Sequence, residues 1–228
     1  MFFPAGDGAA ERPLCAGSRD PAAQGTGLPI SFHLSRGDGK RPRACRRVCG
    51  DRRLSEAIKK EEPGFMRILV LSDTHGDTGS IELALSGAGA ALALHLGDCA
   101  GDMAFVMRSY PDLPFYSVCG NCDFGSAAPA ELTLEIEGKR LYLLHGHTKN
   151  VKNGDGALLA AAKNRGADIV LYGHTHAARA ERVDGMLLLN PGSAKRRAAF
   201  DPRKASFAVL EIGAETPVRA EIVPLPSY

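Results

Sequence analysis

The chain has 228 residues, enough for one sizeable domain and too few for two ordinary ones. Its apolar fraction of 44% and charged fraction of 24% are typical of a globular protein, and its net charge of +2 gives no global indication of nucleic-acid or membrane binding. No apolar run is long enough to span a bilayer, and the N-terminus lacks the regions of a signal peptide. We therefore expect a cytoplasmic protein with free cysteine thiols.

Residues 1–65 differ in composition from the rest of the chain. They hold 12 Lys and Arg against 8 Asp and Glu, are rich in Gly, Pro, Arg and Ala, and show no sustained hydrophobic period. Such a segment buries too little apolar surface to offset its ordering entropy, so we expect a disordered basic leader rather than a nucleic-acid-binding tail. The sequence from Met66 reads like a true start, which suggests a misassigned start codon and a domain of residues 66–228.

From Met66 onward, predicted strands alternate with helical stretches. Short apolar runs predict buried strands, and an alternating stretch centred on Glu137-Gly138-Lys139 predicts a hairpin within residues 132–144. The order indicates an α/β core that ends in an antiparallel β portion. The predicted strands are 68–71, 92–96, 114–118, 169–172, 177–182, 186–189, 205–212 and 217–223, and the predicted helices are 80–85, 102–109 and 158–164.

Polar clusters follow five of these strands. Sites in open α/β sheets lie beyond the carboxyl ends of the strands, so we expect the clusters to meet at one rim. Carboxylate, imidazole and amide oxygen together suit divalent Mn, Fe, Ni, Co or Zn. His95 lies inside an apolar strand and is predicted to be a core residue. The clusters are Asp73-Thr74-His75, Gly97-Asp98, Gly120-Asn121-Cys122-Asp123, His145-Gly146-His147 and Gly173-His174-Thr175-His176.

This ordered set, together with Asn190-Pro191-Gly192-Ser193, resembles the calcineurin-like metallophosphoesterase superfamily. The likeness covers residues 66–228 and is greatest to small, single-domain bacterial and archaeal phosphodiesterases. It implies a four-layer α/β/β/α sandwich with mixed sheets and a centre of two divalent ions, with manganese the first choice and Ni, Fe, Co or Zn the alternatives. One ion would bind Asp73, His75 and His176, the other Asn121, His145 and His174, and Asp98 would bridge them.

The mechanism implied by the resemblance is hydrolysis of a phosphate ester by a hydroxide activated between two metal ions. Asp98 and Asn121 then count as catalytic as well as metal-binding residues. Many larger members have a histidine directly after the metal-binding Asn, whereas this chain has Cys122. Asp123 is therefore a candidate general acid, or else it orients the Asn121 loop. His147 either contacts the substrate phosphate or is a plain loop histidine.

Three functional alternatives are open on the sequence. A phosphomonoesterase is the nearest alternative to a phosphodiesterase. A non-catalytic scaffold is the second, since a eukaryotic retromer subunit resembles this fold with a degraded site; the intact set of seven ligands favours the enzyme. A nucleic-acid binder acting through the leader is the third, and the acidic domain argues against it. We expect a small phosphoester substrate, no membrane partner and a homodimer.

Overall fold

The computed structural model describes residues 31–32, 65–196 and 204–227, which form two β-sheets flanked by helices. In chain order the strands are β1 (Ser31–Phe32), β2 (Met66–Leu71), β3 (Leu92–His95), β4 (Phe115–Ser117), β5 (Glu131–Ile136), β6 (Lys139–Leu144), β7 (Ile169–Leu171), β8 (Arg179–Val183), β9 (Met186–Asn190), β10 (Ser206–Ile212) and β11 (Arg219–Pro224). The α-helices are α1 (Thr78–Ala88), α2 (Ala100–Val106) and α3 (Gly156–Asn164). Short 3-10 turns span Met107–Ser109, His147–Lys149 and Val151–Asn153.

Both sheets are mixed. In the five-stranded sheet, ordered β11-β10-β2-β3-β4, strands β2, β3 and β4 are parallel, while β10 is antiparallel to both of its neighbours. In the six-stranded sheet, ordered β1-β5-β6-β7-β9-β8, strands β6, β7 and β9 are parallel. The predicted antiparallel C-terminal portion is seen in the pairs β8–β9 and β10–β11, while β9 also runs parallel to β7 on its other side. Strands β10 and β11 return to the first sheet.

Three layers of apolar side chains lie between the packed sheets and helices. Ile68 and Val70 of β2 face the other sheet, whereas Leu69 and Leu71 face α1 and α2, because alternate strand residues point to opposite faces. Helix α3 packs through Leu158 on the outer face of the six-stranded sheet. A strand buried on both faces must be apolar throughout, which explains the uninterrupted run in β2. The predicted four-layer α/β/β/α sandwich is confirmed.

Element ends follow local backbone chemistry. Helix α1 is longer than the predicted 80–85, because Asp77 caps it by accepting a hydrogen bond from a first-turn amide at 3.1 Å and Gly89 ends it with φ of 57°. The helix predicted over 102–109 ends at Val106, where the chain tightens into a 3-10 turn. The predicted hairpin forms between β5 and β6, and the observed strand ends from Met66 onward differ from the predicted ones by at most two residues.

A short part of the leader contributes to the fold. Ser31 and Phe32 form β1, which pairs in parallel with Glu135 and Ile136 of β5. Apart from these and Phe65, residues 1–65 lie outside the described residues, so the disordered leader and the misassigned start stay predictions. The three described cysteines have free thiols, as predicted. No α-helix in the described part of the chain is long and apolar enough to cross a membrane.

Candidate metal centre

The predicted clusters lie at strand ends of two different sheets. Strands β2, β3 and β4 belong to the five-stranded sheet, and β6 and β7 belong to the six-stranded sheet. The expectation of one rim is therefore corrected: two rims meet, because the sheets pack face to face. His145 links them, since one of its ring nitrogens, Nδ1, lies 2.8 Å from the carbonyl oxygen of Leu96 on the facing sheet.

Many of the predicted ligands have a left-handed backbone conformation. Nine described residues other than glycine have a positive φ, and five of them are predicted ligands. This conformation costs a non-glycine residue roughly 1–2 kcal/mol. Such outliers concentrate at functional sites, where the surrounding structure holds them in place. The five are Asp73 (55°), His75 (46°), Asp98 (59°), His174 (66°) and His176 (57°).

Four side chains converge most closely. Asp73, His75, Asp98 and His176 each offer one ligand atom, and these atoms all lie within 4.8 Å of one another. The Nε2 atoms of His75 and His176 lie 3.4 Å apart, and His75 Nε2 is 3.9 Å from a carboxylate oxygen of each aspartate. Both aspartates are buried. Carboxylate and imidazole donors at this spacing can hold a divalent ion.

The two oxygens of Asp73 have different surroundings. Oδ2 accepts hydrogen bonds from the Ser72 hydroxyl at 2.5 Å and from the His174 backbone N–H at 3.1 Å. Oδ1 is buried without a hydrogen bond, although Nε2 of His176 lies 3.0 Å away. Burial by itself would raise the pKa of Asp73, but the contacts with His176 and Ser72 and the charge of His145 lower it below its ordinary value. Oδ1 therefore belongs to an ionised carboxylate and faces the ring nitrogens of His75, His145 and His176.

His145 has a similar free atom on the other side of Asp98. Its Nδ1 donates to the Leu96 carbonyl, which leaves the lone pair on Nε2. Nε2 is buried without a hydrogen-bond partner and lies 3.5 Å from Asp98 Oδ1. The ring of His174 is 5.0 Å from that of His145, measured between centroids. Unpaired buried acceptors on both sides of Asp98 fit a centre that binds cations.

Asn121 is the predicted ligand that offers an amide oxygen. Its side chain is exposed, and its amide donates to the Cys122 sulfur at 3.4 Å. Burial and a hydrogen bond with Asp98 raise the pKa of the Cys122 thiol to about 11, so this thiol stays protonated at neutral pH. The Cys122 backbone N–H donates to Asp98 Oδ1 at 2.9 Å. The loop of Asn121 is thus tied to the bridging aspartate through its backbone.

Asp123 holds this loop with both carboxylate oxygens. Oδ2 accepts hydrogen bonds from the backbone N–H groups of Asp98 at 2.8 Å and Gly120 at 2.7 Å, and Oδ1 accepts one from Ala100 at 2.8 Å. The approach is so close that a side chain at Gly120 would place its Cβ 2.3 Å from Asp98 Oδ1. These contacts match an orienting role for Asp123 and leave the general-acid alternative as a prediction.

His147, the remaining predicted catalytic residue, lies at the edge of the centre. Its ring centroid is 5.4 Å from that of His145 and 6.2 Å from that of His174. Its Nδ1 is buried without a hydrogen-bond partner. Burial, together with the charge of His145, lowers the pKa of His147 below its ordinary value. The lowered pKa favours the neutral ring at pH 7.

A buried hydrogen-bonded chain behind the ligands was not found from the sequence. The Gly97 N–H donates to His95 Nδ1 at 3.2 Å, so the ring carries its proton on Nε2, 3.3 Å from the Thr74 hydroxyl. Thr74 donates to Asp102 at 2.8 Å, and Asp102 also accepts from the Gly76 N–H at 2.8 Å. Burial lowers the pKa of His95 to about 4, which makes it the neutral core residue that was predicted. No sequence signal marks Asp102.

The turn after β9 forms hydrogen bonds to the strand-end loops that carry the ligands. The Asn190 amide donates to the carbonyl of Gly173 at 2.9 Å and to the Thr175 hydroxyl at 3.0 Å. The Ser193 hydroxyl donates to the backbone carbonyl of Asp73 at 2.9 Å. The turn therefore fixes the strand ends that carry Asp73 and the His174 loop.

The α/β/β/α sandwich thus carries, where its two sheets meet, an Asp/His cluster that could hold a metal ion. Residues 66–215 match the family model of the calcineurin-like phosphoesterase superfamily domain, and the chain belongs to that superfamily. A probable metallophosphoesterase of Methanothermobacter thermautotrophicus is 34% identical over 166 residues, which are 69% of this chain and 92% of the relative. Phosphodiesterase YfcE of Escherichia coli K12 is 29% identical over 172 residues, which are 64% of this chain and 88% of YfcE. The resemblance to the small bacterial and archaeal enzymes is confirmed, and the chain is a metallophosphoesterase.

Solved structures show the same fold. Wild-type Vps29 of Entamoeba histolytica, in a complex with zinc, superposes with a TM-score of 0.55 at 24% identity and covers 70% of this chain and 99% of Vps29. At this identity the likeness concerns the fold alone. It places the described domain among the metallophosphoesterase sandwiches.

Proposed function

We propose that the chain hydrolyses phosphodiesters at a dinuclear metal centre, with manganese as the first candidate ion and Ni, Fe, Co or Zn as alternatives. The supporting observation is that two buried ligand atoms that flank Asp98, Asp73 Oδ1 and His145 Nε2, have no hydrogen bond. A buried acceptor without a partner costs about 1–3 kcal/mol, which a bound cation would remove. The proposed ligands are Asp73, His75 and His176 for one ion, Asn121, His145 and His174 for the other, and Asp98 for both.

The residues around the ligands hold each one in its binding state. Ser72 and the His174 backbone occupy one oxygen of Asp73 and leave the other for a cation. The Leu96 carbonyl fixes the ring proton of His145 on Nδ1, so that Nε2 is the ligand atom. Divalent ions bound there would supply Lewis acidity for the phosphoryl oxygens and an activated water as nucleophile. We propose that His147 contacts the substrate phosphate, which its position 6.2 Å from the His174 ring, measured between centroids, supports.

A diester is favoured over a monoester because the relative YfcE is named a phosphodiesterase. No motif in the chain reads a base, a sugar or a lipid, so the substrate class is a small phosphoester without further specification. A cytoplasmic homodimer without membrane or nucleic-acid partners completes the proposal. Light scattering after size-exclusion chromatography tests the dimer.

The deciding experiment compares a chromogenic diester with the matching monoester on the Mn-loaded full chain. We expect faster turnover of bis(4-nitrophenyl) phosphate than of 4-nitrophenyl phosphate. Asp98→Asn and His145→Ala should abolish turnover, whereas Asp112→Asn, at an exposed position, serves as the control. Faster monoester turnover would indicate a phosphomonoesterase. Metal binding without turnover of either ester would indicate the scaffold alternative. Normal activity in either ligand variant would refute the dinuclear mechanism.

A further inference from the structure

Glu131 forms an ion pair with the turn that carries His147. Glu131 is the first residue of β5, and its Oε1 atom lies 2.7 Å from the ammonium nitrogen of Lys149. The two side chains have exposed fractions of 24% and 22%, so water screens their attraction less than it screens a fully exposed pair. Lys149 ends the 3-10 turn His147–Lys149 in the loop after β6. The ion pair therefore ties β5 to that turn.

The second carboxylate oxygen of Glu131 is held by Arg165. Oε2 lies 2.5 Å from a guanidinium nitrogen of Arg165, the residue that directly follows α3. The guanidinium lies over the buried ring of Tyr142, 4.5 Å from the ring centroid, and it also donates to the Ala161 carbonyl at 3.1 Å. Because both oxygens of Glu131 are engaged, the carboxylate that binds Lys149 has a fixed orientation.

The turn His147–Lys149 is short, and a residue with a left-handed backbone flanks it on each side. Gly146 has φ of 110° and Asn150 has φ of 53°. The Lys149 N–H donates to the Gly146 carbonyl at 3.1 Å, and the Asn150 N–H donates to the His147 carbonyl at 3.2 Å. Hydrogen bonds of 3-10 turns have poorer geometry than those of α-helices, so a side-chain contact adds to the support of the turn. With three residues per turn, Lys149 and His147 point in directions about 120° apart, so Lys149 can bind β5 while the His147 ring stays beside His145.

Glu131 also lies at the base of the loop that carries Asn121. The Cys119 N–H donates to the Pro129 carbonyl at 2.9 Å, which closes this loop, and β5 begins two residues later at Glu131. Its ion pair thus connects the loop of one predicted ligand, Asn121, to the turn that follows another, His145. Both are proposed ligands of the same ion, so the pair fixes two parts of one side of the centre relative to each other.

We propose that Glu131 is a positioning residue, which sets His147 against the substrate phosphate through its ion pair with Lys149. The proposal rests on the proposed function, which assigns the phosphate contact to His147, and it adds the residue that fixes this contact. A misplacement of about 1 Å at an active site can cost about 10²-fold in rate. The backbone hydrogen bonds of the turn remain when the ion pair is lost, so we expect a smaller loss, of about tenfold.

The test compares Glu131→Gln with Glu135→Gln in the full, metal-loaded chain. Glu135 lies on the same strand and forms an ion pair of the same length, 2.7 Å, with Arg140, at the end of β6 opposite to His145. The affinity for inorganic phosphate is measured by calorimetry, and kcat/KM for bis(4-nitrophenyl) phosphate by steady-state assay. Glu131→Gln should lower both about tenfold. Glu135→Gln should change them less than about twofold, because exposed ion pairs contribute little.

Variants of Lys149 separate positioning from a long-range effect of charge. Glu131→Gln removes a negative charge and Lys149→Ala a positive one, so electrostatics alone would shift phosphate affinity in opposite directions. Positioning predicts that both variants weaken phosphate binding, and that Lys149→Arg keeps part of the affinity because a guanidinium can still bind the carboxylate. Lys149→Ala also leaves the contact between Glu131 and Arg165 in place. Lys152→Ala, at an exposed position of the same loop, is the charge control and should change the affinity less than about twofold.

A double-mutant cycle tests whether Glu131 acts through His147. If it does, Glu131→Gln causes no further loss of phosphate affinity or kcat/KM in a His147→Ala background. Nuclear magnetic resonance of the metal-free chain gives a readout that needs no activity. The ring resonances of His147, assigned by their absence from His147→Ala, should shift in Glu131→Gln and stay unchanged in Glu135→Gln.

The outcomes separate this proposal from the proposed function. Equal effects of Glu131→Gln and Glu135→Gln, full additivity with His147→Ala, or unchanged His147 resonances would overturn the positioning role even if the wild type is an active diesterase. Phosphate binding that depends on Glu131 through His147 in a wild type without diesterase activity would support the role and remove the diester reaction. A wild type that neither binds phosphate nor hydrolyses the diester would overturn both. Melting temperatures of the variants within about 4 °C of the wild type show that the fold is intact.

Discussion

Replacing Asp123 by asparagine distinguishes an orienting carboxylate from a general acid. In the wild type, Oδ2 accepts two backbone hydrogen bonds, from Asp98 and Gly120, and Oδ1 accepts a third from Ala100. Asparagine is nearly isosteric but has one acceptor oxygen. It can keep the pair of bonds made by Oδ2, while its amide nitrogen then faces the Ala100 N–H as a second donor.

The expected loss of folding stability follows from these contacts. One hydrogen bond to a charged acceptor is lost, which corresponds to about 1.5–3 kcal/mol. For a domain of this size, each kcal/mol shifts the melting temperature by about 2–4 °C, so we expect Tm to fall by about 3–12 °C. The lost hydrogen bond is the one from Ala100, two residues after Asp98, so the loop that carries Asp98 is held less firmly. Loss of a contact that supports a ligand lowers metal affinity by about 10–100-fold.

Calorimetric melting of the metal-free chain and titration with Mn²⁺ measure both effects, with Asp112→Asn as an exposed control that should change neither. An orienting residue lowers the turnover of esters with good and poor leaving groups by the same factor. A general acid matters only where the leaving oxygen needs a proton. Unchanged Tm and metal affinity, together with activity lost for alkyl but kept for aryl esters, would refute the orienting role.

Three further predictions concern stability. Burial lowers the pKa of His95 from 6.5 to about 4 in the folded chain, so the unfolded chain binds an extra proton between these values. Urea unfolding should therefore show stability falling as pH drops from 6.5 to 4, and His95→Gln should flatten that fall. Gly173→Ala would place a Cβ 1.9 Å from the Ser72 hydroxyl and should cost about 1–3 kcal/mol, whereas Gly101→Ala, with open space around it, should be tolerated. Chelation with EDTA should lower the Tm of the wild type by more than that of His145→Ala, which lacks a ligand of one ion, because bound metal stabilises the folded state by mass action.

The strands and ligands could be read from the sequence because their signals are local. A strand such as β2, buried on both faces, is apolar throughout, and its ligand Asp73 follows two residues after it. The division of five strand ends between two sheets left no local signal. The family resemblance implied two sheets but did not assign the strand ends to them, because parallel strands of one sheet and of two facing sheets have the same sequence pattern.

Contacts between residues that are distant along the chain could not be predicted from the sequence. Asp102 contacts Thr74 across 28 positions, and nothing in its neighbourhood distinguishes it from a surface carboxylate near the start of α2. The two lysines of the loop after β6 read alike as well. Lys149 is neutralised by Glu131, 18 positions earlier, because β5 and β6 pair as a hairpin beside the loop.

The backbone conformation of the ligands explains why the ligands could be predicted from the sequence while the contacts that hold them could not. Each left-handed ligand costs roughly 1–2 kcal/mol, so five of them would be unfavourable for a chain without compensating contacts. Asp73 is held by Ser72, Ser193 and the His174 backbone, and Asp98 by Asp123 and Cys122. Such supports must reach across the sheets, because the strained residues themselves end the strands. The ligand types are therefore visible in single motifs, while the groups that hold them in position are spread along the whole domain.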